Sequence, residues 1–274
     1  MNSSDLPALI VAHGQPSDPA PAARELDLLA ESVAKLAGGR AVLAATLAQE
    51  GALPRAIAQL GPKGIVFPMF MSGGWFTRVA LGEKLRDAGG QGWHVLEPFG
   101  CEAAVHDLAR DVVADALAGQ DLARAQVLIA AHGSFKSPAP SDVAASLASS
   151  LKAGFGLARC EAAFIDQTPQ LADTTGFGAG SICLPFFAAM GGHVTDDIPR
   201  ALGAARFGGR VLPPLGLHPN VPALIAAALL RAAPVCAQSC RYSAPRAARS
   251  PQGICRVRKL KKAEPFLTLK IPWG

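Results

Sequence analysis

The sequence predicts an α/β protein made of two similar, doubly wound parallel-sheet lobes, and three observations carry that prediction. Short apolar runs bounded by Gly and Pro alternate with helical stretches along the first ~230 residues. The runs are continuously apolar rather than alternating, which is the pattern of strands covered by helices on both faces. The first half of the chain also reappears in the second. "LIVAHG" (Leu9–Gly14) matches "LIAAHG" (Leu128–Gly133), "VFPMFMSGGWFT" (Val66–Thr77) matches "CLPFFAAMGGHVT" (Cys183–Thr195), and "VLEPFG" (Val95–Gly100) matches "VLPPLG" (Val211–Gly216). The offsets are 119, 117 to 118 and 116 residues, so three motifs keep their order at nearly one spacing, as an internal duplication requires.

Taken in order, the apolar run ending at Ala12 predicts a strand over 7–12, followed by a helix over 20–37 that stops at Gly38-Gly39. A strand over 41–47, a helix over 52–60 closed by Gly61-Pro62, and a strand over 63–68 come next. A helix over 77–88, a strand over 93–97 and a helix over 102–118 complete the first lobe. The second lobe repeats the plan, with strands over 126–131, 160–165, 180–186 and 210–213. Its helices are expected over 140–152, 168–175, 195–204 and 219–232. The domain organisation is therefore a lobe over 1–121, a lobe over 122–233, and a remainder over 234–274 that fits neither.

That remainder distorts the overall charge. The chain carries a formal +5, but residues 234–274 hold nine Lys/Arg against one acid, Glu264, and the rest of the chain is near −3. A mildly acidic body gives no footprint for nucleic acid. The segment 234–274 has no clean periodicity and reads as a basic, disordered extension. No charged region precedes a long apolar segment at the N-terminus, and the late apolar run Ala223–Leu230 is far short of the ~20 residues of a membrane helix. The expectation is a cytoplasmic protein with no membrane partner. Six cysteines without a CxxC pair do not form a disulfide framework, and Cys183 reads as a small buried hydrophobe.

Ligands of open α/β sheets bind beyond the carboxyl ends of the strands. His13 and His132 both stand at such an end, and in the second lobe Asp166 and His193 fall at two more. Two imidazoles and one carboxylate suit a divalent ion such as Co²⁺, Fe²⁺, Ni²⁺ or Zn²⁺ with a position left open for substrate. In the first lobe the alignment puts Ala48 in the place of Asp166 and Trp75 in the place of His193, leaving His13 alone. His94 and His106 read as surface or packing residues, and His218 as a turn residue. Thr195, Asp196 and Asp197 read first as an N-cap and a favourable charge in a first helical turn.

"AAHGS", "FIDQTP" and "LPFFAAMGGHVTDDIP" together resemble the class II tetrapyrrole chelatases, in particular the cobalt and iron chelatases that act on sirohydrochlorin. The family's strand-end His-Gly-Ser falls on His132, Gly133 and Ser134, its strand-end acid on Asp166, and its last motif on Pro185, Phe186, Gly191, His193, Asp197, Ile198 and Pro199. The family more often has Glu where Asp166 stands, one methylene longer. The resemblance implies insertion of Co²⁺ or Fe²⁺ into sirohydrochlorin or a related tetrapyrrole, on the way to cobalamin or siroheme. The metal is then a substrate, and no tightly bound cofactor is implied. His132 and His193 would hold the metal and accept pyrrole protons, Asp166 would complete the coordination or relay protons, and Gly133, Ser134, Gly191 and Gly192 would face the macrocycle. Lys136 and Arg200 are candidates for its carboxylates. A non-catalytic metal or tetrapyrrole carrier on the same scaffold is the alternative. A histidine phosphatase needs Arg directly before the strand-end His, and Ala12 and Ala131 stand there instead.

Overall fold

A computed structural model of the chain describes residues 6–232; the basic segment 234–274 lies outside them. In the first lobe β1 (Ala8–Ala12), β2 (Val42–Thr46), β3 (Lys63–Pro68) and β4 (Gly92–Val95) form a parallel sheet in the order β2-β1-β3-β4. In the second, β5 (Gln126–Ala131), β6 (Arg159–Phe164), β7 (Ile182–Pro185) and β8 (Arg210–Val211) form a parallel sheet in the order β6-β5-β7-β8. The order is the same in both, so the repeated motifs occupy equivalent strands. The histidine-bearing strand is central in each sheet, between the second and third strands of its lobe.

The strands are apolar throughout because each face meets helices. Ala8 and Ile10 of β1 point to one face, Leu9 and Val11 to the other, following the period of two. The layer between the sheets contains α1 (Pro19–Leu36), α4 (Ala103–Ala116), α5 (Ala139–Phe155) and α7 (Val221–Arg231). One continuous core runs from Ile10 and Phe67 through Val33, Val113, Leu147 and Leu229 of these helices to Ile129 and Leu184 of the second sheet. The outer face of the first sheet is covered by α2 (Ala52–Leu60) and α3 (Leu81–Asp87), and that of the second by α6 (Ile198–Ala204). The two lobes therefore share their inner layer. The Arg231 guanidinium on α7 donates to Glu102 at 2.8 Å, tying the end of the second lobe to the start of α4.

Three expectations change. No α-helix covers 168–175, where only a 3-10 turn, Leu171–Asp173, forms. Phe164 donates its N–H to the Pro169 carbonyl, and Phe164 bridges Gln170, so the chain stays extended there. Thr174 and Thr175 add β-branching, and Gly176 at φ +78° turns the chain away before a second helical turn can form. The helices expected over 77–88 and 195–204 each begin in a π turn, Phe76–Ala80 and His193–Asp197, so His193 lies inside the helical segment. Thr195, Asp196 and Asp197 also belong to that turn rather than to an N-cap. The strand over 210–213 shortens to Arg210–Val211 because Pro213 and Pro214 supply no ladder donor.

Candidate metal and tetrapyrrole site

Each strand-end histidine is followed by a glycine that the fold requires. Gly133 has φ +77°, and a Cβ there would stand 2.7 Å from Gln167 Cγ and 2.9 Å from Phe164 Cβ. Gly14 has φ +76° and would place a Cβ 2.8 Å from Thr46 Cβ. In both lobes the chain turns sharply against the neighbouring strand as it leaves the sheet, a conformation open to Gly and strained for other residues. The doubled His-Gly is thus explained on the glycine side by backbone geometry alone.

In the second lobe this turn is fixed further. Gln167 Oε1 accepts the Ser134 N–H at 2.7 Å, and Ser134 Oγ accepts the Lys136 N–H at 3.1 Å. The parallel ladder continues past the strands: Ile165 donates to the Ala131 carbonyl and Asp166 to the His132 carbonyl, at 3.1 and 2.9 Å. That register sets Asp166 beside His132. The first lobe has the same bond, Ala48 N–H to the His13 carbonyl at 2.9 Å, so Ala48 is the counterpart of Asp166 as aligned.

His193 arrives from the loop after β7, on the π turn. With His193 and Asp197 four residues apart on it, the His193 Nδ1–H donates to Asp197 Oδ2 at 2.8 Å. Asp197 Oδ1 in turn accepts Arg200 at 3.2 Å, so Arg200 is already engaged. Wider helical turns of this kind often mark functional positions.

The two imidazoles meet. His132 Nε2 and His193 Nε2 are 3.0 Å apart, with the rings at 89° to each other. Behind them, His132 Nδ1 faces the Gly133 carbonyl at 3.0 Å and Asp166 Oδ2 at 3.5 Å. Carbonyl and carboxylate oxygens only accept, so both Nδ1 atoms carry protons and both Nε2 atoms present lone pairs in the neutral rings. Two lone pairs at this separation repel unless a proton or a cation lies between them. Both rings are close to half exposed, at 42% and 48%, so the pair is reachable from solvent.

Asp166, the third ligand in the sequence reading, has its carboxylate 3.5 Å from the far nitrogen of His132. Among the described residues no group of three or more His, Cys, Asp or Glu is arranged to hold a metal ion. The paired glycines before His193 could serve either a tight turn or clearance. Gly192 is right-handed helical at φ −51°, a Cβ on Gly191 meets nothing within 4 Å, and one on Gly192 meets only Asp196 Oδ2 at 3.6 Å. Neither glycine is needed for a tight turn; both leave open space beside His193.

The first lobe corrects one alignment. The π turns, Phe76–Ala80 and His193–Asp197, and the helices after them, α3 and α6, are related by a constant 117 residues. Phe76, not Trp75, therefore takes the place of His193, and Ala80 that of Asp197. The Phe76 ring lies 6.1 Å from His13 and the Phe70 ring 6.5 Å, and among the described residues His13 has no polar partner of the kind His132 has. The sequence gap was misplaced because Gly73-Gly74 and Gly191-Gly192 invite superposition.

Of the other histidines, His106 and His218 have structural duties. His106 donates to the Gly100 carbonyl at 2.8 Å, and His94 is exposed. His218 accepts the Asn220 N–H at 3.1 Å, and burial lowers its pKa although Asp115 and Asp111 act the other way. Burial pushes the Cys160 and Cys183 thiols up to about 12, so neither offers a thiolate at neutral pH. An apolar groove of about 370 Å³, lined by Val194, Ile198, Leu202, Phe207 and Val211, includes neither site histidine.

The structure of CbiX, described as the terminal enzyme for biosynthesis of siroheme in denitrifying bacteria, is 44% identical to this chain. The match has a TM-score of 0.76 and covers 81% of this chain and 97% of that one. The chain belongs to the CbiX family. The CbiX family model matches residues 126–232, a span that begins at β5 and contains His132, Asp166 and His193. Two structures of SirB share the fold at lower identity. SirB from Bacillus subtilis with Fe³⁺ is 16% identical, with a TM-score of 0.67 over 84% of this chain and 96% of that one. The sirohydrochlorin chelatase SirB from Bacillus subtilis subspecies spizizenii, in complex with cobalt, is 14% identical, with a TM-score of 0.60 over 84% and 95%. No curated protein sequence matches the chain. No helix of the described residues is long and apolar enough to cross a membrane.

Proposed function

We propose that this CbiX-family chain inserts a divalent metal, Co²⁺ or Fe²⁺, into sirohydrochlorin or a related tetrapyrrole, in the formation of siroheme or cobalamin. The observation that carries the reading is the pair of Nε2 atoms 3.0 Å apart, each ring backed by a carboxylate. Two Nε2 lone pairs this close could both bind one divalent ion and leave its other positions open. Substrate nitrogens and water would fill the other positions. His132 and His193 present the metal and take the two pyrrole protons as nitrogens of the macrocycle replace them. Asp166 and Asp197 hold the rings from behind, fixing which nitrogen faces the ion. Gly133 and Ser134 shape the rim, and Gly191 and Gly192 leave it clear. On this reading the lobe over 122–233 works and the lobe over 1–121 frames the cleft.

The test follows the visible bands of sirohydrochlorin mixed with Co²⁺ or Fe²⁺ and catalytic amounts of the full chain. Conversion of many equivalents per protein, well above the protein-free rate, is the expected result. The alternative is a non-catalytic metal or tetrapyrrole carrier on the same scaffold. A carrier shifts the bands once, in proportion to protein, and stops.

A further inference from the structure

We infer that Trp75 from the first lobe and Phe135 from the second grip the faces of the planar macrocycle, so that the lobe without a working histidine set still binds substrate. The inference rests on the chelatase reading and names residues that reading does not use.

Trp75 is 68% exposed and Phe135 82% exposed. Exposed aromatic rings forgo the burial that normally stabilises them, and rings gathered at one cleft mark a binding surface. Trp93 shows what a structural indole looks like here: it is 8% exposed and donates to the Gly61 carbonyl at 3.0 Å. Phe135 follows His132 by three residues on the loop leaving β5. Trp75 sits on the loop leaving β3, next to Gly74, whose Cβ position lies 3.9 Å from Ser137 Oγ. The two loops therefore approach each other across the lobe boundary at the carboxyl ends of both sheets, and the second of them is the loop that begins at His132. Met190, on the loop leaving β7, and Val79, on the Phe76–Ala80 π turn, are further apolar side chains, each 40% exposed, on the segments that follow these strands.

The register of the π turns makes the asymmetry informative. Trp75 stands where Gly192 stands in the other lobe, one residue before the turn. The second lobe has removed a side chain at this position and left open space beside His193. The first has placed an indole there. A flat conjugated ligand needs both: clearance over the metal-presenting rings, and aromatic faces to stack on.

The experiment uses the full chain as wild type, Trp75→Ala, Phe135→Ala, the double variant and Trp75→Phe. Each is measured for sirohydrochlorin binding without metal, for KM of sirohydrochlorin in Co²⁺ insertion, and for Co²⁺ binding alone by calorimetry. Each alanine variant is expected to weaken macrocycle binding and raise its KM about tenfold, the scale of losing one stacking face. Trp75→Phe should recover most of that loss, and Co²⁺ binding should not move. Both side chains are exposed, so circular dichroism should be unchanged. If the wild type inserts metal and the double variant keeps the same macrocycle affinity and KM, this inference fails while the chelatase reading stands. A wild type that neither binds nor metallates sirohydrochlorin overturns both.

Discussion

His132 and His193 are directed at one point by the groups behind them. Asp197 receives the Nδ1–H of His193 at 2.8 Å, and the Gly133 carbonyl receives that of His132 at 3.0 Å, with the Asp166 carboxylate 3.5 Å from the same nitrogen. Removing such a partner leaves the ligand in place but frees its ring and tautomer, which typically costs 10–100-fold in metal affinity or activity. Asp197→Ala is therefore expected to slow Co²⁺ insertion by about that factor, with Asp197→Asn falling between it and wild type, as read by initial rates. Asp166→Ala should cost less than Asp197→Ala, because the Gly133 carbonyl still holds His132. If Asp166→Ala proved as damaging as loss of His132 itself, the carboxylate would be a direct ligand after all. At this scale the sequence exposed the histidines, since an apolar strand ending in His-Gly is visible by eye. It concealed the role of Asp197, which the His193–Asp197 spacing of four could have revealed once the segment was read as helical. Gln167, which anchors the Ser134 N–H, had no signal beyond its place in "FIDQTP".

Among the elements, the turn after β5 carries the greatest constraint. Gly133→Ala must place a methyl 2.7 Å from Gln167 Cγ at a positive φ, so a loss of about 1–3 kcal/mol in urea unfolding is expected, together with loss of insertion activity. Gly191→Ala meets no atom within 4 Å, and its unfolding midpoint should match wild type. A stability loss there equal to that of Gly133→Ala would contradict this reading of the loop. In the shared inner layer, Leu147 is 1% exposed, and Leu147→Ala should destabilise by about 2–5 kcal/mol. The strands were legible because parallel strands buried on both faces are unbroken apolar runs. The segment after β6 was not: its composition tolerates a helix, while Pro169 and Gln170 turn back to pair with Phe164 at the end of β6, a non-helical contact that leaves no periodic trace.

In the whole molecule, duplication and divergence are both visible. Two sheets of identical order share one helical layer, and the continuous core across it predicts a single cooperative unfolding transition for residues 6–232. Truncation after residue 233 keeps α7 and the Arg231–Glu102 pair, so Tm should stay within about 2 °C of the full chain, checked by calorimetry. The repeat itself was plain in three ordered motifs; the exact counterpart of His193 needed the constant spacing of the π turns and the helices after them. The central claim is that chemistry resides in the second lobe alone. His132 has His193 opposite its Nε2 and acceptors at its Nδ1, whereas His13 has Phe76 and Ala48 at the matching places. The most direct measurement compares rates of Co²⁺ insertion into sirohydrochlorin by His132→Ala, His193→Ala and His13→Ala, with folding checked by circular dichroism. The first two should fall by at least ~10²–10⁴-fold, while His13→Ala should lose about tenfold or less. A dead His13 variant beside a His132 variant that runs normally would put the working site in the first lobe and contradict the account.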